Sequence, residues 1–180
     1  MRCRFFLLIT ALLAFTPSYA QEITVNYVFD GQIRADLSKM PRGPLKVATF
    51  SDGRSDGNPR LIAGEWVADR PLAAIVQDAI VQGFNKGNAT LADSGEQMTL
   101  EGSILSSALE TVEANGQTTL RLTIRTQVKL MGSGRTMWQT TLFGRGEAPA
   151  ADGITAALNQ ALDRTITGLL QDDYFLIEIQ

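Results

Sequence analysis

Histidine is absent from this 180-residue chain, and cysteine occurs once, at position 3. Without imidazole there is no serine triad and no zinc site of the usual kinds. A lone thiol so close to the start leaves the rest of the chain with neither thiol chemistry nor an internal disulfide. Charge is also sparse, at 19% of residues with a net of −3. Phosphate backbones are held by dense basic surface, so nucleic acid is excluded as a partner. No apolar run approaches the ~20 residues that a membrane-crossing helix needs.

What is present begins with a leader. Arg2 and Arg4 precede an 11-residue apolar run, Phe5 to Phe15, and Ser18-Tyr19-Ala20 supplies a small-x-small cleavage site. Residues 1–20 are expected to be a signal peptide cleaved after Ala20, and residues 21–180 a single α+β periplasmic domain. Removing the leader takes away two arginines and no acid, which moves the formal net charge from −3 to −5. A mature chain of 160 residues buries about 70% of its unfolded surface, enough for a core to hold it without staples.

Periodicity supplies the elements. Ile23, Val25, Tyr27 and Phe29 alternate and predict a strand; Leu45 to Phe50 predicts a second. Asp69 is placed to cap a helix opened by Pro71, with Leu72, Ile75, Val76, Ala79, Ile80 and Phe84 on one stripe and Gly87 as its stop. From Gln117 to Met131, Leu120, Leu122, Ile124, Val128 and Leu130 alternate with polar residues, which predicts a strand with one buried face. Its neighbours are 97–112 and 135–143, joined through Asn115-Gly116 and Gly132-Ser133-Gly134 into an antiparallel meander. A change of apolar phase at Leu105 predicts a bulge. Asp152 is placed to cap a second one-sided helix, Ile154 to Leu170, and the apolar tail 172–180 is expected to add a short strand, cover a sheet edge or meet a partner. The sum is an α+β two-layer sandwich, an antiparallel sheet with two amphipathic helices on one face.

Candidate site residues fall in three places. Asp52, Asp56 and Gly57 match positions one, five and six of a calcium loop, yet Arg54 stands at position three and Ala63 at position twelve, where ligand oxygens belong. The stretch therefore reads as a polar turn ordered by an Asp52–Arg54 contact, with no metal. Arg121, Arg125 and Lys129 share one face of a strand and form the candidate anion stripe, against a plain solvated face. Trp66 is the candidate surface anchor, whereas Trp138 is assigned to the core. The carboxylate pair Asp172-Asp173 reads as solvated surface, so no catalytic residue and no cofactor is assigned.

Several short motifs carry a resemblance. Val47-Ala48-Thr49-Phe50 running into Asp52-Gly53-Arg54, then Ile62-Ala63-Gly64, Pro71-Leu72, a long hairpin, Trp138 and an Ala-rich last helix resemble the YajG family of bacterial envelope lipoproteins over residues 45–171. The resemblance implies a periplasmic α+β domain with no assigned reaction. The architecture is also similar to that of LptE-type proteins and of the auxiliary lipoproteins of lipid transporters. The family carries its lipid on a cysteine after the leader, where this chain has Ser18-Tyr19-Ala20-Gln21, so lipid anchoring is not expected. Two functions follow as expectations: a binding or assembly module acting on an envelope protein or lipid-containing assembly, or a carrier of a lipid or other amphiphile. The oligomeric state is open.

Overall fold

The structure is a computed structural model that describes residues 20–40, 43–55, 57–93, 98–114 and 116–179. Residues 1–19 of the leader and Asp56 lie outside the described residues. Its frame is three long antiparallel strands, β6 (Met98–Ala114), β7 (Gln117–Gly132) and β8 (Arg135–Pro149). They form the expected meander, and β8 runs six residues beyond Phe143, where the apolar alternation fades at Gly144 and Gly146. The bulge falls where the phase changes: Ile104 faces Thr126 and Ser106 faces Arg125, with Leu105 looped out. This slip turns Leu109 to the same side as Leu122, its partner in register.

Both helices cover that side. Helix α1 (Leu72–Lys86) and helix α2 (Gly153–Leu170) bury the apolar stripes read from the sequence. Neither helix is capped by the aspartate assigned to it. Pro71 occupies the cap position of α1, and Asp69 instead accepts the Val25 amide at 3.2 Å. Asp152 stands at the cap position of α2 at the end of a 3₁₀ turn (Ala150–Asp152), with no side-chain bond to the helix. Gly144 and Gly146 let α2 lie directly on β8: a methyl built on Gly146 would overlap the Ala157 carbonyl oxygen, and one on Gly144 the Thr165 hydroxyl.

The N-terminal third departs from the reading more. The strand expected over Ile23–Phe29 shortens to β1 (Gln21–Ile23), which runs parallel to β5 (Trp66–Ala68). Val25, Tyr27 and Phe29 are still buried alternately, but the stretch lies across the helices rather than in a ladder. Side chains supply the missing bonds. Gln82 of α1 accepts the Phe29 amide at 2.8 Å and donates to the Tyr27 carbonyl at 3.2 Å, and the Tyr27 hydroxyl donates to Asp163 of α2 at 2.6 Å. The second expected strand, Leu45–Phe50, shortens to β2 (Leu45–Val47), and a further short strand, β3 (Ser51–Asp52), forms just beyond it where a turn was expected; both run parallel to β6, so the large sheet is mixed. Between them Gln77 of α1 accepts the Phe50 amide, and the Phe50 ring fills the space over Gly102. A hairpin of β4 (Leu61–Ala63) with β5 completes a separate three-stranded sheet, β1-β5-β4.

The tail is a helix, α3 (Asp173–Ile179), rather than a strand or free patch. Asp172 accepts the Phe175 amide at 2.9 Å and caps it, which corrects its reading as a solvated acid. Phe175 and Ile179 are fully buried, and Trp138 packs on Phe175 with ring centroids 4.9 Å apart. Tyr174 and Ile177 stay exposed. No helix among the described residues is long and apolar enough to cross a membrane.

A candidate binding groove at Trp66

Length mismatch creates the site. Sixteen residues of β7 extend about 53 Å at ~3.3 Å each. The 18 residues of α2 reach about 27 Å at ~1.5 Å each. The helices therefore cannot cover the whole apolar face, and the small sheet covers its far end. Gly64, at φ 58°, and Glu65 make the tight turn of its β4–β5 hairpin and bring Trp66 over the strands. Between the two sheets lies a groove of about 690 Å³, walled by Leu61, Trp66 and Val67 on one side and by Leu109, Thr111 and Leu120 on the other. Ala20, Asn58 and Glu65 complete its rim. Trp66, Leu109 and Leu120 are each half-buried, so the groove is apolar surface that the fold leaves partly wet.

The polar turn after β3 meets this groove through Asn58, which also borders a hollow of about 180 Å³ with Asp52, Arg54, Gly57 and Pro59. Asp52 and Arg54 come together as read. Arg54 donates to both carboxylate oxygens of Asp52, at 2.9 and 2.7 Å, and to the Leu61 carbonyl at 2.7 Å. Its side chain is 3% exposed and that of Asp52 18%. The Arg54 hydrogen bond holds the Asp52 carboxyl below the usual carboxylate range. Both oxygens that a cation would need are thus engaged by a guanidinium.

The cationic stripe lies on the opposite face of the sheet, and its members have separate surroundings. Arg121 sits between Glu147, at 2.7 Å, and Glu110, at 3.7 Å, its register partners on either side. The guanidinium of Arg125 lies 5.3 Å from the centre of the Phe143 ring. Lys129 faces Glu101 across the ladder and borders a polar hollow of about 270 Å³ with Thr49, Ser51, Ser103 and Gln127. The stripe is thus a set of local pairings, and Trp66 is remote from it on the other side of the sheet. The sequence reading identified Trp66 but not its companions. Leu109 and Leu120 carried a usable signal, since both lie beyond the reach of helices of the expected length.

No protein-family model matches the sequence, and no curated protein matches it. A solved structure does share the fold. Protein XCC0632 from Xanthomonas campestris, of family DUF330, superposes with a TM-score of 0.60 at 19% identity, over 88% of this chain and 97% of that one. A minor lipoprotein from Acinetobacter baumannii reaches a TM-score of 0.46 at 8% identity, over 74% and 94% of the two chains. PelC from Paraburkholderia phytofirmans, solved as a dodecamer, reaches 0.42 at 10% identity, over 79% and 95%. At 19% identity the likeness to the Xanthomonas protein extends to the fold alone, and nothing is drawn from the two weaker superpositions.

Proposed function

We propose that the protein is a non-enzymatic binding module of the bacterial envelope, exported to the periplasm by a leader cleaved after Ala20 and related to the YajG-type proteins. Of the two functions open to it, carriage of an amphiphile is the one the geometry favours. One observation carries this reading: the Trp66 groove joins an apolar lining to a polar rim, at a volume within the ~300–1,000 Å³ typical of small-molecule sites. The residue types left after the leader add support, because imidazole and thiol are missing and Asp52 is tied to Arg54.

Native mass spectrometry of protein purified from the envelope fraction tests the reading. The expected spectrum shows a lipid-sized adduct that delipidation removes and a lipid extract restores. A Thr111→Trp variant, which places an indole in the groove, is expected to lack it. Bare polypeptide in every spectrum, including after incubation with extract, would overturn the proposal.

A further inference from the structure

We infer that the Trp66 groove selects amphiphiles with a zwitterionic headgroup over those with a net negative one. This inference rests on the groove being a binding site and goes on to name the class of head it accepts. Glu65 is the only charged residue among those lining the groove. Its carbonyl accepts the Gln21 amide at 2.8 Å, and its carboxylate accepts the Gln21 side-chain amide at 3.3 Å, so the carboxylate is held at the mouth beside Ala20.

The neighbouring arginines are committed elsewhere. Arg60 donates to the Ala68 carbonyl at 2.7 Å and pairs with Glu22. Arg54 is closed on Asp52 and the Leu61 carbonyl. A lone phosphate at the mouth would meet the Glu65 carboxylate with no lining cation to balance it, and like charges in contact repel. An added ammonium arm changes the sign of that contact.

Cleavage after Ala20 does not reverse the preference. It would turn the Gln21 amide into an ammonium next to Glu65, leaving a mouth of opposite charges with no positive excess. A head that itself carries one charge of each sign complements such a mouth, whereas an anionic head gains nothing from it overall. The formal net charge after cleavage, −5, opposes anionic ligands in the same direction.

Lysophosphatidylethanolamine and lysophosphatidylglycerol of identical acyl chain, each below its micellar concentration, form the test pair. In a Trp138→Phe background Trp66 is the only tryptophan, and its emission reads occupancy of the groove. Should that background fail to fold by circular dichroism, native mass spectrometry of the parent chain with the same two lipids gives the ratio. On the chain that retains Ala20 the ethanolamine lipid is expected to bind about fivefold tighter, the size of one like-charge contact in water, and on the cleaved chain the gap keeps its sign but is smaller because the Gln21 ammonium offsets Glu65. Glu65→Gln is expected to close the gap. Equal affinities, or tighter binding of the glycerol lipid, would overturn the headgroup inference and leave the groove reading standing. Failure of both lipids to bind would remove the groove reading, and this inference with it.

Discussion

Along β6, β7 and β8 the backbone closes most of its hydrogen bonds on itself, strand against strand, whereas between Val25 and Phe50 it closes many of them on side chains. In the first region each ladder bond is one of many, and a residue on the open face can change without touching the backbone. In the second, single groups such as Asp69, Gln82 and Gln77 each hold an amide that no strand holds. A ladder spreads its stability over length, and a strap concentrates it in a few side chains. The two regions should therefore fail differently: the ladder through bulk where a helix presses on it, the strap through loss of one polar atom.

The largest effect is expected at Gly146. Alanine there would run into the Ala157 carbonyl oxygen and the Ala161 nitrogen, both main chain of α2, which cannot rotate away. The cost should be about 3 kcal/mol, at the upper end for overpacking. Urea melts of Gly146→Ala measure it, and a midpoint unchanged from the parent would mean that α2 does not press on β8.

Next comes Asp52→Asn, which removes the carboxylate charge that the Arg54 guanidinium, 3% exposed, grips with two hydrogen bonds. Breaking a buried pair costs ~3–5 kcal/mol, and the partial exposure of Asp52 reduces this to about 2. The pH sign follows from the depressed Asp52 pKa. Its contribution is complete above the ordinary value of 3.8 and is lost as pH falls through the lower folded value. Parent and variant should accordingly differ in thermal midpoint at pH 7 and converge in strong acid; a gap that persists there would point to another cause.

Tyr27→Phe should cost least, about 1 kcal/mol for one hydrogen bond to Asp163. Burial first, then the Asp163 bond, pushes the Tyr27 phenol upward. A raised folded pKa gives stability that is complete below the ordinary value of 10.0 and fades as pH rises past it. The parent should lose stability above pH 10 faster than Tyr27→Phe does. Parallel alkaline melts would show that the strap does not depend on this phenol.

How much the sequence disclosed follows the same division. The meander, its bulge at Leu105 and both helix stripes were legible because their signals are local periods of two and 3.6 residues. Tyr27 and Phe29 had the right alternation for a strand, yet their hydrogen-bond partners, Gln82 and Asp163, lie on helices far along the chain and look like any other polar helix residue. Asp69 and Asp152 had the right type for caps, but Asp69 meets a distant amide instead and Asp152 makes no bond to its helix. The tail reads as strand in composition and becomes a helix because Asp172 caps it and Phe175 and Ile179 reach the core. At the candidate site, Trp66 was legible as an aromatic among loop residues. Leu109 and Leu120 hinted at uncovered apolar surface, but the groove itself was not legible, because it arises between two sheets whose separation no local pattern encodes.

The outer rim of the large sheet has a consequence of its own. The Glu147 amide points away from β7 and is taken by Gln160 of α2 at 3.2 Å. Outward amides recur at every second residue, so the next such position along β8 is Pro149, which has no amide hydrogen to offer. An unfolded or neighbouring strand seeking to extend the sheet meets at this end one donor in use and one that does not exist. At that end the rim therefore offers no continuous row of donors for a further strand to extend.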